Sequence, residues 1–378
     1  MFDVGAFCCN PVLVRKGWHG KTPAYDALVT ETQPCFARIA CVWLLSIPFA
    51  TAHGSVVALA PVAPPTGALR EAQAASLRIA GSALGAELEI EVRDLSRSAG
   101  EKALNAAWDA VQRAGRELDS RAATPARAAK GTAPLSEDLF NLMLRASSFC
   151  TWSDGASGPL GGAVYRLWAE SVVTGALPIP DELEAAAATT KCNRVTLNAA
   201  TRTIEISPGS ELDLRGFARG WAVDLAVRAL RDAGAANAKV ALGPVTRGMG
   251  AGPDGKGWPV PLPTLSASGN PASHVFLVDE ALAVSNPSAE TMRVGGEQIL
   301  PAFDLRTGRP ARGVSSVVTV TALAADAEPL AMAMSVLGAN GGQLRLGSLR
   351  PRPSVLWLLG SGETAVVASS NWSAVHKP

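Results

Sequence analysis

The sequence predicts an α+β fold with mixed sheets and packed helices in one large domain. Residues 77–92 alternate between apolar and polar side chains, which is the period of a β-strand. Residues 101–118 carry apolar side chains at helical spacing, which predicts an amphipathic helix. Further strands and helices follow without strict alternation, and this order favours α+β. A hydrophobic fraction of 48%, against 18% charged residues, supplies a sizeable core and excludes global disorder.

The remaining elements follow from caps, turns and apolar runs. Ser136 has the side chain of a helix N-cap and predicts a helix that extends to about Cys150. Two more helices are predicted over 216–233 and 328–337, because a glycine that can end a helix follows each segment. The glycine-rich run 248–257 predicts a hairpin loop. Strands are predicted at 195–197, 203–206, 239–242, 275–278, 281–284, 316–321, 355–359 and 364–368.

Residues 1–52 are predicted to be a leader. Arg38 precedes the apolar run Ile39–Phe49, and Ala50–Ala52 places small residues where a signal peptidase cleaves. The run is too short to span a bilayer, which takes about 20 helical residues. Cleavage after Ala52 predicts an exported, periplasmic or cell-envelope protein, whose membrane association comes only from an uncleaved leader. A buried N-terminal helix is the alternative.

Beyond the leader, the sequence predicts a flexible linker at 53–75, one domain at 76–370 and a tail at 371–378. The formal net charge of +1 provides no field for a charged polymer, so no nucleic-acid partner is expected. Export would place Cys150 and Cys192 in an oxidising compartment. The two cysteines could pair there, and the sequence leaves that question open.

Several glycine-containing motifs follow one another in a fixed order. The run Leu212–Asp224 reads L-D-L-R-G-F-A-R-G-W-A-V-D, and Phe303–Pro310 reads F-D-L-R-T-G-R-P. Upstream lie the segment Asp154–Trp168 and the short segment Leu84–Ala86, which reads L-G-A. Together these motifs resemble those of the ApbE-type FAD:protein FMN transferases, and the resemblance extends over roughly residues 77–368. One such motif would be weak, but several in the same order are fairly specific.

The resemblance implies a fold, a reaction and a partner. It implies the ApbE-like α+β fold, which is related to the T-fold, and a protein that acts outside the cytoplasm. It implies that FAD is the substrate, with Mg²⁺ as cofactor. FMN is then attached through its phosphate to a Thr or Ser of an acceptor redox protein, and AMP is released. Such phosphoryl transfer depends on charge neutralisation and positioning.

The resemblance also assigns roles to individual residues. Asp213 matches a flavin-contacting carboxylate, although a helix-entry cap is an equal alternative. Arg219 replaces a lysine near the phosphates and is predicted, with Asp304, to contribute to catalysis; Asp304 could also be only a turn residue. The backbone carbonyl of Gly216 and the carboxylate of Glu328 are the predicted metal ligands. Further flavin contacts are predicted at Leu84, Ala156, Ser157, Gly158 and Phe303.

Some motif positions depart from the family pattern. Pro301 stands where the family has a histidine, and Pro301 cannot accept a proton. Met332 stands where the family has a metal-binding threonine, while Asp326 lies nearby and could compensate. The rival hypothesis is therefore a flavin-binding or partner-binding protein that kept the fold and lost the reaction. A further alternative takes Ser157 itself as an FMN attachment site.

Overall fold

The computed structural model of the chain describes residues 76–122, 134–262, 274–360 and 366–372. They all belong to one compact unit, Ala68–Pro378. The predicted leader, the predicted linker and nearly all of the predicted tail lie outside the described residues, so those boundaries stay predictions.

An antiparallel sheet of eight strands, in the order β1-β2-β5-β6-β9-β14-β15-β16, forms the centre of the described fold. Four short hairpins, β3–β4, β7–β8, β10–β11 and β12–β13, lie outside it. The strands are β1 Leu77–Ala83, β2 Ala86–Arg93, β3 Val195–Asn198, β4 Thr203–Ile206, β5 Asn237–Leu242, β6 Val245–Met249, β7 Trp258–Pro261, β8 His274–Leu277, β9 Ala281–Ser285, β10 Met292–Val294, β11 Glu297–Ile299, β12 Phe303–Asp304, β13 Arg309–Pro310, β14 Val314–Thr321, β15 Ser354–Leu359 and β16 Val366–Ser370.

The helices of the described residues are α1 Arg97–Ala122, α2 Glu137–Trp152, α3 Gly162–Thr174, α4 Pro180–Ala188, α5 Ala218–Asp232 and α6 Ala324–Leu346, with a 3₁₀ turn at Cys192–Arg194. Helices α1, α5 and α6 pack on this sheet, whereas α2 contacts α6 and β3, and α3 contacts α4 and β10. The predicted cap of α2 is confirmed, because the Ser136 side chain accepts a hydrogen bond from the Leu139 amide at 3.1 Å. No helix of the described residues is long and apolar enough to cross a membrane.

Two apolar layers bury the two faces of the sheet. On one face, side chains such as Ile90 and Val240 pack with α1, α5 and the start of α6, where Ala222 and Leu230 have no exposed surface. On the other face, the β7–β8 hairpin contributes a second cluster that includes Trp258. Strands that alternate with helices only irregularly, around one antiparallel sheet, are the α+β architecture that the sequence predicted.

Three local predictions need correction. Residues 77–92 form two strands, because Leu84 and Gly85 take positive φ angles of 49° and 70° and close a tight turn. Helix α6 begins four residues before the predicted start. The predicted break at Gly338 is present, because its φ of 66° is not helical and separates α6 into two helical segments. The run 248–257 joins β6 to β7, which pair with different strands, so it is no hairpin loop.

A disulfide joins two segments that are distant in the sequence. Cys150 at the end of α2 is bonded to Cys192, 42 residues later, and their Cα atoms lie 5.7 Å apart. The structure thus resolves the question that the sequence left open. The bond ties α2 to the 3₁₀ turn that leads into β3.

Helix α5 packs directly against the beginning of α6. A Cβ atom on Gly220 would overlap with the backbone carbonyl oxygen of Ala324, so only glycine permits this approach. The Asp224 carboxylate accepts hydrogen bonds from the amides of Ala324 at 3.0 Å and Ala325 at 2.9 Å. These amides are the first of α6 and have no partner within their own helix, so Asp224 caps α6 from a neighbouring helix.

We expect Gly220→Ala to lower the free energy of unfolding by about 1–3 kcal/mol, because the added methyl group must push α5 away from α6. Gly115→Ala in α1 is the matched control, since the nearest atom to its added Cβ would be Leu84 Cδ2 at 3.6 Å. That control should be neutral or stabilising by up to about 1 kcal/mol. Urea unfolding of both variants tests this, and equal stability of the two would contradict the close packing.

Candidate functional site

A cavity of about 1030 Å³ opens between the helix layer and the segment that leads into α5. It is bounded by the β1–β2 turn, by α1 and α3, and by residues 212–219. Most of the site residues predicted from the sequence line this cavity, although they come from distant parts of the chain. They are Leu84, Ser157, Gly158, Asp213, Gly216, Arg219 and Phe303. A large concave site with a few convergent polar groups is the usual form of a cofactor or substrate site.

Three aromatic side chains form one wall of the cavity. Phe303 is stacked on Trp168, with ring centroids 5.2 Å apart and an angle of 13° between the planes. Tyr165 meets the same Phe303 ring edge-on, at 5.5 Å. The indole nitrogen of Trp168 donates a hydrogen bond to the carbonyl of Gly308 at 2.8 Å, which fixes this ring. The result is a rigid, apolar aromatic cluster in the cavity wall, against which a planar ring system can pack.

Asp213 is held in a second, polar part of the wall. Its carboxylate accepts hydrogen bonds from the Arg215 amide at 2.9 Å and from the Arg215 guanidinium at 2.9 and 2.5 Å. That guanidinium lies over the Tyr165 ring, 4.6 Å from its centroid. Asp213 does not cap α5, which begins after Phe217 without a side-chain cap. The helix-cap alternative is therefore wrong.

Tyr165 was not singled out by sequence reasoning, since it lay inside a motif as an ordinary aromatic position. Burial raises its pKa from the usual value of 10.0 to about 12, and the nearby Asp213 carboxylate adds to the rise while Arg215 opposes it. Tyr165 is consequently a neutral hydroxyl near neutral pH. It can donate a hydrogen bond into the cavity, but it is a poor general base.

Arg219 and Glu328 form an ion pair between α5 and α6. The Arg219 Nε atom donates to Glu328 Oε1 at 2.8 Å, and the Gly220 amide donates to Oε2, also at 2.8 Å. The Glu328 side chain is 4% exposed, whereas that of Arg219 is 31% exposed and lines the cavity. Burial raises the pKa of Glu328, while Arg219 and the Gly220 amide counteract this rise by stabilising the ionised carboxylate.

The residues here do not fit Mg²⁺. Both Glu328 oxygens are already hydrogen-bonded, and the Met332 thioether lies against Gly216, where a Cβ would overlap with its sulfur. Asp326 cannot compensate, because it is paired with Arg145. Among the described residues, no three His, Cys, Asp or Glu side chains are grouped to hold a metal ion. Magnesium requires several hard oxygen ligands in near-octahedral geometry, so the metal role of Gly216 and Glu328 has no support in this geometry.

Three nominated residues lie outside the cavity lining, namely Glu328, described above, Ala156 and Asp304. Ala156 is fully buried, and its carbonyl accepts a hydrogen bond from the Leu305 amide at 3.3 Å. The Asp304 carboxylate binds the Arg306 guanidinium at 2.8 and 2.7 Å, and its carbonyl accepts from the Gly308 amide at 2.7 Å. These contacts are those of a turn residue, the alternative that the sequence had left open for Asp304.

The loop after α2 contributes a small-residue section of the wall. Ser157 is 7% exposed, so its hydroxyl is poorly placed to enter the site of another protein, as an FMN attachment site would have to do. A Cβ on the adjacent Gly158 would lie 2.8 Å from the Sγ atom of Cys150, so the disulfide packs directly behind this wall. Pro301 also lines the cavity, whereas His274 in β8 does not.

The pKa of Tyr165 can be measured by itself, because Tyr25 and Tyr165 are the chain's two tyrosines and Tyr25 lies in the predicted leader. We expect the chain from His53 onward to show a tyrosinate absorbance transition near pH 12 when folded, and near 10 in denaturant. The sign follows from the raised pKa. The contribution of the neutral Tyr165 hydroxyl to the free energy of unfolding is fully present below about pH 10, and it is lost as the pH rises toward 12. A folded-state midpoint near 10, with unchanged circular dichroism, would refute the burial.

Relatives of the chain carry consistent descriptions. An FAD:protein FMN transferase of Treponema pallidum (strain Nichols) is 29% identical over 244 residues, which are 60% of this chain and 67% of that protein. The enzyme of the same description from Vibrio cholerae (strain O395) is 28% identical over 196 residues, or 50% and 58% of the two chains. The aligned part thus spans less than two thirds of the Vibrio relative.

The fold of the chain is similar to that of solved ApbE structures. The ApbE protein of Thermotoga maritima superposes with a TM-score of 0.68 at 22% identity, covering 80% of this chain and 100% of that one. The apo form of the flavinyl transferase ApbE from Pseudomonas stutzeri gives 0.67 at 18% identity, with 80% and 97% covered. The predicted ApbE-like fold is confirmed. The model of the ApbE family matches residues 84–353, most of the sequence, and the chain therefore belongs to the ApbE family.

Proposed function

We propose that this protein is an FAD:protein FMN transferase that acts outside the cytoplasm on a Thr or Ser of an acceptor redox protein. The observation that carries the proposal is the cavity, which brings together motif residues from four separate stretches of the chain, around Leu84, Gly158, Asp213 and Phe303. Membership of the ApbE family and the descriptions of its relatives support the same reaction class.

Two parts of the cavity wall match two parts of FAD, the isoalloxazine ring and the diphosphate. The isoalloxazine ring would pack against the aromatic cluster of Tyr165, Trp168 and Phe303, where aromatic contact and apolar burial favour a planar ring. Arg219 would face the diphosphate, because it is the nominated cation that lines the cavity. The acceptor hydroxyl oxygen then forms a bond to the FMN phosphorus, the bond to the AMP phosphate breaks, and the hydroxyl proton passes to solvent or to AMP. The residues do not fit Mg²⁺, so none of these steps is assigned to a metal.

The place of action is proposed from two independent features. The sequence predicts a cleavable leader that ends at Ala52. The domain contains the Cys150–Cys192 disulfide, and disulfides persist mainly in oxidising compartments. Both features favour the periplasm or the cell envelope.

The second candidate function is flavin binding without transfer. It is favoured by the Arg219–Glu328 ion pair and by Pro301 in the cavity wall, because neither a metal site nor a histidine base remains at those motif positions. The two functions differ in one measurable outcome, the covalent modification of an acceptor.

Intact-mass spectrometry decides between them. The chain from His53 onward is mixed with FAD and a Thr-bearing acceptor domain, with the Treponema pallidum relative as positive control. We expect an FMN-sized mass gain on the acceptor. No gain, beside a working control and a folded chain that binds FAD, would establish the non-catalytic binder.

A matched pair of variants tests the aromatic wall. Phe303→Leu keeps an apolar side chain but removes the ring that stacks on Trp168, and we expect flavin affinity and transfer to fall roughly two- to tenfold. Phe276→Leu on β8, an exposed ring that does not line the cavity, should change neither. Equal behaviour of the two variants would place the flavin elsewhere.

A further inference from the structure

A fixed positive charge occupies the region where the family resemblance implies a metal ion. Arg219 lies in the first turn of α5 and Glu328 in the first turns of α6, and the two side chains meet at the cavity wall. Glu328 is the only one of the two nominated metal ligands that carries a charge, and both of its oxygens are hydrogen-bonded to the protein. A hard cation would have to displace Arg219 and the Gly220 amide from this carboxylate.

We propose that the site binds the diphosphate of FAD without a divalent cation, and that the Arg219 guanidinium, held in place by Glu328, supplies the positive charge in its stead. The inference rests on the proposed function, since it takes FAD as the substrate. It concerns a different question, which is how the negative charge of that substrate is neutralised.

The geometry of Arg219 suits this role. Its Nε atom is used in the bond to Glu328, and in the part of the chain that the structure describes no oxygen accepts from its two terminal nitrogens. These nitrogens remain available to the cavity, where a planar guanidinium can bind phosphate oxygens in a forked arrangement. Since Glu328 already orders the long side chain, little conformational entropy remains to be lost on binding.

The surroundings of Arg219 add to the argument. The first turn of α5 already has an anionic partner, because the Gly220 amide donates to the Glu328 carboxylate, and this bond helps to fix Glu328 beside Arg219. The Met332 sulfur, a soft atom that Mg²⁺ does not bind, fills the space beside Gly216. The cavity wall thus offers the terminal nitrogens of one guanidinium to an anion, while the described residues form no cage of hard oxygen ligands.

Binding measurements with two flavins test the proposal directly. Titration calorimetry of the chain from His53 onward compares FAD with riboflavin, which has the same ring and no phosphate, in EDTA and in Mg²⁺. We expect the FAD affinity to agree within about twofold between the two conditions. A clear gain of FAD affinity in Mg²⁺ would overturn the inference.

The key variant neutralises the ion pair without leaving a buried charge. Arg219→Gln combined with Glu328→Gln should weaken FAD binding roughly ten- to a hundredfold and leave riboflavin binding within about twofold. The control is Arg228→Gln with Asp138→Asn, another pair that joins α5 to a neighbouring helix, at 2.7 Å, but outside the cavity. That control should change neither affinity. If the key variant weakens both flavins equally, Arg219 has only a structural role and the inference is wrong.

The remaining outcomes separate this inference from the proposed function. Glu328→Gln alone keeps the Arg219 charge, so we expect FAD affinity to fall less than about threefold, whereas a metal-ligating Glu328 would make the loss large and confined to Mg²⁺. If a folded chain binds neither FAD nor riboflavin, the proposed function is wrong and the inference falls with it. If riboflavin binds and FAD binds only with Mg²⁺, the proposed function survives and the inference alone fails.

Discussion

The carboxylate of Asp224 holds together the three elements on which the site depends. It lies on α5, accepts hydrogen bonds from the amides of Ala324 and Ala325 at the start of α6, and is paired with Arg247 of β6. Burial raises the pKa of Asp224, while Arg247 and the two amides oppose that rise. Because this junction fixes α5 against α6, the side chains of Arg219 and Glu328 can meet from positions far apart in the sequence.

Local physical chemistry explains which parts of the fold were predictable. The cap at Ser136 and the alternation along residues 77–92 are properties of neighbouring residues, so they could be read without tertiary knowledge. The turn at Leu84 was missed, because leucine rarely takes a positive φ angle and its side chain gives no turn signal in the sequence. The cavity members were found through motif resemblance, and their meeting at one site is a result of the topology.

The parts that sequence reasoning missed are pairwise contacts across the fold. In the sequence, a glutamate at position 328 is as compatible with a metal site as with an ion pair. Only the structure shows that its two oxygens are hydrogen-bonded to Arg219 and to the Gly220 amide. For Asp304 the sequence left a catalytic and a turn role open, and only its bonds to Arg306 show which partner its carboxylate has. The stacking of Trp168 on Phe303 joins residues from different segments, and neither helical nor strand periodicity contains that information.

The Cys150–Cys192 bond has a consequence for how the cavity is completed. The Sγ atom of Cys150 packs against Gly158, and Gly158 lines the cavity. A chain that folds in a reducing environment would place two separate thiols at this position, and the wall would then be held by packing alone. Oxidation of this cysteine pair therefore also fixes part of the cavity wall, so the redox state of the chain and the shape of its binding site are chemically linked.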